Sequence, residues 1–332
     1  MIKAFIPVAG IGVRLRPHTH TQPKPLIPVA GKPILGHIID NLIAEGIGEF
    51  VFVIGHLGEK IEQFVAEKYG SKIKAGFVVQ SPRLGLGHAL YLSREKFPSS
   101  GEILVVLGDT IFDVDLKSVI QSPHSVVGVQ NVEDPRSFGV VITNEGGFID
   151  QAVEKPKIPK SNQALVGLYK FREIGEFKKA LEALMKQQPS ATGEYHLTDA
   201  IGIMVSSGVK IGIHPVETWF DCGRKETLLE TNRILLGRRN GSTPSNCPGS
   251  VIIPPVFISP DAHIENSIIG PFVSIDEHAE VRHSIVRDSI VGAYSSLETI
   301  MLDNSVIGAD ALLRGKANSV NIGDNNEIDF NE

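Results

Sequence analysis

The last quarter of the chain carries the pattern that is hardest to satisfy. From residue 258 onward aliphatic residues recur at steps of five or six: Ile258, Ile264, Ile269, Ile275, Val281, Val286, Val291, Leu297, Leu302, Ile307 and Leu313. An α-helix returns to one face every three or four residues and a strand every two, so neither buries this set. A three-sided parallel coil does, with one inward aliphatic residue per side and about 16 to 18 residues per turn. Small residues follow several of them, as in Ile269-Gly270, Val291-Gly292, Ile307-Gly308 and Ile322-Gly323. Residues 251–332 are therefore expected to form a short parallel β-helix of hexapeptide repeats.

Residues 1–237 follow a different rule. Leu35, Ile38, Ile39, Leu42 and Ile43 lie at helical spacing within Ile34 to Ala44, and Gly46 stops that helix. The alternation continues with a strand at Phe50 to Ile54, a helix at Glu59 to Lys68, a strand at Gly76 to Gln80, a helix at Gly87 to Lys96 and a strand at Ile103 to Leu107. Strands alternating with helices predict βαβ units and a mostly parallel sheet. The run Gly237-Arg-Arg-Asn-Gly-Ser-Thr-Pro-Ser-Asn-Cys-Pro-Gly-Ser250 has the composition of a connection, so residues 238–250 are expected to link two domains.

In such sheets ligands bind beyond the carboxyl ends of the strands. The first strand, Ala4 to Val8, ends in Gly10-Ile11-Gly12, which can adopt φ > 0 and present backbone N–H groups to phosphate oxygens. Arg14 and Arg16 follow at once, and Lys24 stands between Pro23 and Pro25, which fix the backbone around it. A Rossmann fingerprint would place its third glycine at Leu15, and a P-loop needs Ser or Thr where Pro33 follows Gly31-Lys32. Neither loop fits, yet glycine donors and cations still face one polyanion.

Gln80 closes the third strand. Its amide offers both a donor and an acceptor, suited to a pyrimidine edge, and Gly85 lets the backbone approach closely. Asp109 sits at the tip of Leu104 to Leu107, where it either caps a turn or holds a cation. A sheet-rich stretch follows at 126–171. Beyond it come an amphipathic helix at Glu173 to Lys186, a helix opened near Thr198 or Asp199, a strand from His214 to Asp221 and a helix from Lys225 to Leu236.

Hydrophobic residues make up 42% and charged residues 21% of the 332, a globular composition with a formal net charge of −6 and no basic block. That excludes a nucleic-acid surface, which needs clustered Lys and Arg. No apolar run reaches the length of a membrane span, and the opening residues lack the layout of a secretory signal. Cys222 and Cys247 are too few for a disulfide framework and are not spaced as a zinc site. The expectation is a cytoplasmic protein.

Five segments, in order, resemble the sugar-1-phosphate nucleotidyltransferase family. Gly10-Ile11-Gly12-Val13-Arg14 with Pro23-Lys24-Pro25 resembles its opening Gly-x-Gly-Thr-Arg and Pro-Lys, with Val13 in place of the family Thr. Gln80, Gly85, Leu86 and Ala89 match the base-recognition segment, in which His88 is similar to the uridylyltransferase members and Gln marks the thymidylyltransferases. Gly108-Asp109 matches the metal-ligand position. Gly139-Val-Val141, Glu154-Lys155-Pro156 and Val166-Gly-Leu-Tyr169 follow the order of the sugar lobe, and Trp219-Phe-Asp221-Cys-Gly223 resembles Trp-x-Asp-x-Gly, the second metal ligand.

The resemblance implies a Rossmann-like α/β nucleotidyltransferase domain of GT-A type followed by a left-handed β-helix. It implies Mg2+ held by Asp109 and Asp221, a nucleoside triphosphate bound through Ala9, Gly10, Gly12, Gln80 and Gly85, and catalysis by Arg14, Lys24 and Asp109. It also implies a sugar 1-phosphate bound by Gly139, Glu154, Lys155 and Leu165, with dTTP or UTP and glucose 1-phosphate the favoured pair. Thr192 replaces an Arg that thymidylyl members carry, which shifts the sugar phosphate toward Lys155. A homo-oligomer through the β-helix is expected. Two alternatives remain open: a silent sugar-nucleotide-binding subunit, and an acyltransferase in the β-helix with His263, His278 or His283 as base.

Overall fold

The structure, a computed structural model, describes residues 2–238, 247–317 and 322. Positions 239–246 of the expected linker, and Gly323, lie outside the described residues. The chain divides into two compact units, Met1–Thr231 and Asn232–Glu332.

The first unit is built on a nine-stranded sheet with Ile2–Val8 at its centre. That strand pairs in parallel with Glu49–Ile54 on one side and Glu102–Val106 on the other, and Lys74–Val79 extends the parallel run. Ala4, Phe5 and Ile6 have no exposure, as a strand covered on both faces requires. Helices Ile34–Ala44, Gly58–Tyr69 and Leu86–Ser93 make the crossovers and leave the strand tips facing one way. The loops after Val8, Val79 and Val106 therefore share one edge.

The other half of the sheet is mostly antiparallel, so the whole is mixed. Gln163–Phe171 pairs antiparallel with Glu102–Val106 and also with Ser125–Asn131 and Gly139–Thr143. Its register shifts between Leu165 and Tyr169, around Gly167 at φ 90. An added Cβ there would lie 2.8 Å from Leu107, so only glycine allows this strand to bend against the neighbouring tip. Ile149–Glu154 lies on Gly139–Thr143 at the edge and carries Glu154 to the same rim.

Two sequence expectations change here. The single strand expected from His214 to Asp221 is two. Ile211–Pro215 joins the main sheet in parallel beside Ser125–Asn131, and the Val216 N–H makes the last bond to it, on the Val129 carbonyl at 2.9 Å. Thr218–Asp221 instead pairs antiparallel with Thr110–Asp113, which puts Asp221 opposite Thr110. The helix Leu197–Ser206 has His196 at its N-cap position, with no capping bond from that side chain, so Thr198 and Asp199 lie within the first turn and the Thr198 hydroxyl donates to Glu154.

The second unit is a three-sided parallel β-helix of the left-handed hexapeptide kind. Its strands form three four-stranded parallel sheets. Successive rungs align Val251, Ile268, Ile285 and Met301, a repeat of 17, 17 and 16 residues. Ile264, Ile269, Ile275, Val281, Val286, Val291 and Leu297 fill its interior. Corners are turned by single residues at φ of 43 to 62, among them Asn266, Phe272, Asp288 and Asn304. Asn and Asp tolerate this region best among residues with a Cβ. His278 and His283 are two of these corners, with φ 55 and 50, and the His278 ring lies 4.9 Å from that of Tyr294. Both residues thus serve to turn the coil.

Candidate active site

The strand tips of the first unit enclose a cavity of about 590 Å3, a size suited to a nucleotide with a sugar. Ala9, Gly10, Gly12 and Arg14 line it from the first loop. Lys24, Asp109 and Asp221 line it together, and Gln80 and Gly85 also border it. Gly139, Glu154, Lys155 and Leu165 complete it from the antiparallel half. Every residue to which the resemblance gave a metal, nucleotide, sugar or catalytic role thus borders one cavity, whereas Arg16 does not.

The first loop is built around Gly12, whose φ is 68. A Cβ there would meet Thr19 Cγ2 at 2.9 Å and Lys24 Cβ at 3.0 Å, so the glycine lets the turn lie directly on the lysine stem. The Thr19 hydroxyl donates to the Gly12 carbonyl at 2.9 Å and ties the loop down. Val13 is 57% exposed at the cavity wall, consistent with a position that no longer offers a hydroxyl.

Lys24 opens a short 3-10 turn between its two prolines, and its Nζ lies 2.6 Å from Asp109 Oδ2 and 3.8 Å from Asp221 Oδ1. Burial raises the Asp221 pKa and the Asp109 carboxylate adds to the rise, while Lys24 and Arg14 oppose it. Two carboxylates within reach of one cation form a hard oxygen set, and Mg2+ ordinarily takes one or two carboxylates plus substrate phosphates. The donors present therefore fit that ion. Among the described residues no group of three or more His, Cys, Asp or Glu is gathered for a metal.

Asp109 is positioned by its neighbour. A Cβ on Gly108 would stand 2.2 Å from Val8 Cγ1 and 3.2 Å from the Pro7 carbonyl, so the tip can cross the first strand only without a side chain.

Elsewhere on the cavity wall the Gln80 amide is oriented by two acceptors. Its Nε2 donates to the Gly85 carbonyl at 2.9 Å and to His88 Nδ1 at 3.2 Å. His88 therefore carries its proton on Nε2 and Gln80 keeps Oε1 to accept. Burial holds the His88 pKa below the usual imidazole value, which favours this neutral form.

At the other end Glu154 Oε2 accepts from the Thr198 hydroxyl at 2.6 Å. Lys155 Nζ is 3.7 Å from Glu154 Oε1. The Lys155 backbone is left-handed, φ 41, with its N–H donating to the Phe138 carbonyl at 3.0 Å. His196 Nδ1 stands 4.0 Å from Glu154 and 3.9 Å from Glu194.

Arg83, Ser137, Glu194, His196, Thr198 and Trp219 also line the cavity, and the sequence reading gave them no site role. Trp219 stood inside a segment already quoted. Trp219 packs edge-on against Phe138 with centroids 4.7 Å apart, and its buried Nε1 finds no acceptor among the described residues. Cys222 is fully buried and its thiol is pushed up to about 12, so it is no nucleophile.

Residues 3–237 match the nucleotidyl transferase family model. The chain belongs to that family. It is 34% identical over 242 residues to the low-salt glycan biosynthesis nucleotidyltransferase Agl11 of Haloferax volcanii, covering 71% of this chain and 66% of that protein. It is 30% identical to a glucose-1-phosphate thymidylyltransferase of Streptomyces griseus, over 92% of each chain. The crystal structure of a proposed glucose-1-phosphate thymidylyltransferase from Bacillus anthracis, in complex with a sucrose, superposes with a TM-score of 0.62 at 28% identity, over 73% of this chain and 98% of that one.

Replacing Gly108 by Ala should overpack the crossing with Val8 and lower stability by about 1–3 kcal/mol, measurable by urea denaturation. An unchanged midpoint would show that the tip yields freely and that Asp109 is not fixed by this contact.

Proposed function

We propose that the protein joins a nucleoside triphosphate to a sugar 1-phosphate, releasing pyrophosphate and forming an NDP-sugar. The observation that carries this reading is the Lys24 ammonium beside Asp109 and Asp221, in a cavity with a base-reading amide on one part of its wall and a carboxylate on another.

A phosphate oxygen of the sugar 1-phosphate attacks the α-phosphorus in line, the bond from that phosphorus to the bridging oxygen breaks, and pyrophosphate leaves with the electron pair. No proton carrier is needed. Catalysis is then positioning and charge neutralisation. Arg14 and Lys24 face the triphosphate and its leaving group, and the backbone at Ala9, Gly10 and Gly12 offers N–H groups to the phosphates. Mg2+, held by Asp109 and Asp221, would neutralise phosphate oxygens.

Gln80 Oε1 accepts from a ring N–H, which uracil and thymine carry at N3 and cytosine lacks. That favours UTP or dTTP. Glu154 and the backbone at Gly139 and Leu165 take the sugar hydroxyls, Lys155 takes its phosphate, and glucose 1-phosphate is the favoured sugar by likeness to the Streptomyces enzyme. No described helix is long and apolar enough to cross a membrane, and we assign the reaction to the cytoplasm, where its substrates are made. The enzyme is further read as a homo-oligomer assembled through its β-helix.

Pure protein given UTP or dTTP with glucose 1-phosphate should release pyrophosphate; none with any of the common nucleotide and sugar-phosphate pairs would refute the reading. Asp109→Asn should lower kcat by about a hundredfold or more with a smaller change in nucleotide KM. Lys155→Ala should raise the sugar-phosphate KM first, and an unaltered KM would remove it from that site.

The pH dependence follows from His88. Protonation turns Nδ1 from acceptor to donor against the donating Gln80 Nε2, so base recognition fails on the acid side. Because burial lowers its pKa, the nucleotide KM should stay level down to about pH 6.5 and rise only below it. His88→Gln, which cannot titrate, should abolish that rise; if the acid limb persists, another group is responsible.

A further inference from the structure

The loop that carries Gln80 is joined to a stretch far along the chain. The Tyr195 N–H donates to the Leu84 carbonyl at 2.8 Å, and the Gly87 N–H donates to the Tyr195 carbonyl at 2.8 Å. Between those two bonds lies Gly85, whose carbonyl accepts from Gln80 Nε2. A Cβ on Gly85 would stand 2.7 Å from the Tyr195 carbonyl oxygen and 3.0 Å from Glu194 Cβ. Loop and stretch therefore meet backbone to backbone, which a side chain at this point would prevent.

Residues 190–196 depend on that contact. Their turn is closed on itself: the Ser190 N–H donates to the Glu194 carbonyl at 3.0 Å, the Gly193 N–H donates to the Ser190 carbonyl at 2.8 Å, and His196 Nε2 lies 3.2 Å from Ser190 Oγ. None of these bonds ties the turn to the sheet. Ahead of the helix that opens at Leu197, the attachment comes from Leu84, Gly87 and the packing of the Tyr195 side chain on the core. The turn in return delivers Glu194 and His196 to the cavity beside Glu154. Gly87 is itself buried and does not line that cavity.

We propose that Gly87 is a positioning residue for the sugar phosphate, a role that rests on the nucleotidyl-transfer reading: its missing side chain lets the nucleotide loop hold Glu194 and His196 in place. A Cβ on Gly87 would stand 2.7 Å from Leu184 Cδ2, 2.9 Å from the Tyr195 carbonyl oxygen and 3.2 Å from that of His196. The leucine tip can turn aside. The carbonyls are backbone, so relief at them requires residues 195–196 to move. The helix Leu86–Ser93 is the less yielding partner, because Ala89, Leu90 and Ser93 seat it in the interior. The displacement therefore falls on Glu194 and His196, and a binding group moved off its geometry loses much of its effect. Gln80 and its two acceptors, Gly85 and His88, stay on the side that does not move.

Gly87→Ala, assayed by pyrophosphate release, should raise the sugar-phosphate KM about tenfold or more and leave the nucleotide KM within about threefold of the wild type. Equal rises in both, or none, would overturn the role. Leu184→Val shortens the side chain that the new methyl meets first and leaves the two carbonyls where they are. Added to Gly87→Ala, it should leave the sugar-phosphate KM high; a recovered KM would put the strain in the core and overturn the role. Hydrogen–deuterium exchange of the wild type keeps the test open if the alanine variant does not fold. UTP or dTTP without sugar phosphate should slow exchange in residues 80–87 and, through the shared bonds, in 190–196. Protection confined to 80–87 overturns the positioning role and leaves nucleotidyl transfer standing. Protection of neither stretch overturns the role, and a wild type that also releases no pyrophosphate takes the nucleotidyl-transfer reading with it.

Discussion

The first unit depends on one arrangement of charge: the Lys24 ammonium between two carboxylates. Asp109 and Asp221 come from strands that are distant in sequence, and their mutual repulsion, with the burial of Asp221, would push them apart. Lys24 at 2.6 and 3.8 Å supplies the compensating charge. Its own place is set by Gly12, which has no Cβ to keep the first loop off the lysine stem. The loop, the tip after Glu102–Val106 and the strand Thr218–Asp221 are thereby drawn to one point, and a substrate polyanion with its cation can exchange for this internal pairing without leaving a buried charge alone.

The parallel half of the fold was legible because each strand is a short apolar run closed by a glycine or a polar tip, and each helix has a clean apolar stripe. Gly10, Gln80 and Asp109 could then be placed by the rule for strand ends alone. The Asp221 end was legible as a motif but not as geometry. Nothing in residues 214–221 announces that the strand changes sheets at Pro215, and only the pairing of Thr218–Asp221 with Thr110–Asp113 brings its carboxylate to Asp109. His196 and Thr198 escaped for a related reason. Residues opening a helix look like caps in sequence, whereas here the hydroxyl of Thr198 reaches a carboxylate 44 positions earlier.

In the β-helix the inward positions were readable and the outward ones were not. A repeat of five or six residues specifies what the interior must be, since every step lands on an aliphatic side chain that is buried in the interior or packed against it. The outer columns emerge only when rungs of 17, 17 and 16 residues are laid in register. Along the sequence, Val251, Ile268, Ile285 and Met301 are just further aliphatics beside the ones already counted. Histidines at corners show the converse, for a residue type that suggests chemistry is there explained by a left-handed φ.

Under the proposed reading, the part of the cavity around Glu154 holds more carboxylate than cation, and that imbalance bears on which residue would meet a phosphate. Glu154 and Glu194 flank His196, whose other nitrogen lies 3.2 Å from the Ser190 hydroxyl. Thr192, where an arginine could have stood, is engaged with that same hydroxyl at 2.8 Å. The imidazole is thus enclosed by acceptors, while sugar hydroxyls can donate to the carboxylates around it. A phosphate dianion needs a cation beyond that enclosure. Lys155 is the residue that leads out of it, and it does so in a left-handed backbone that costs an L-residue on the order of 1 kcal/mol. Its N–H on the Phe138 carbonyl sustains that conformation, so the strain coincides with the one cation of the Glu-Lys-Pro strand end that can turn from the carboxylates toward the phosphates.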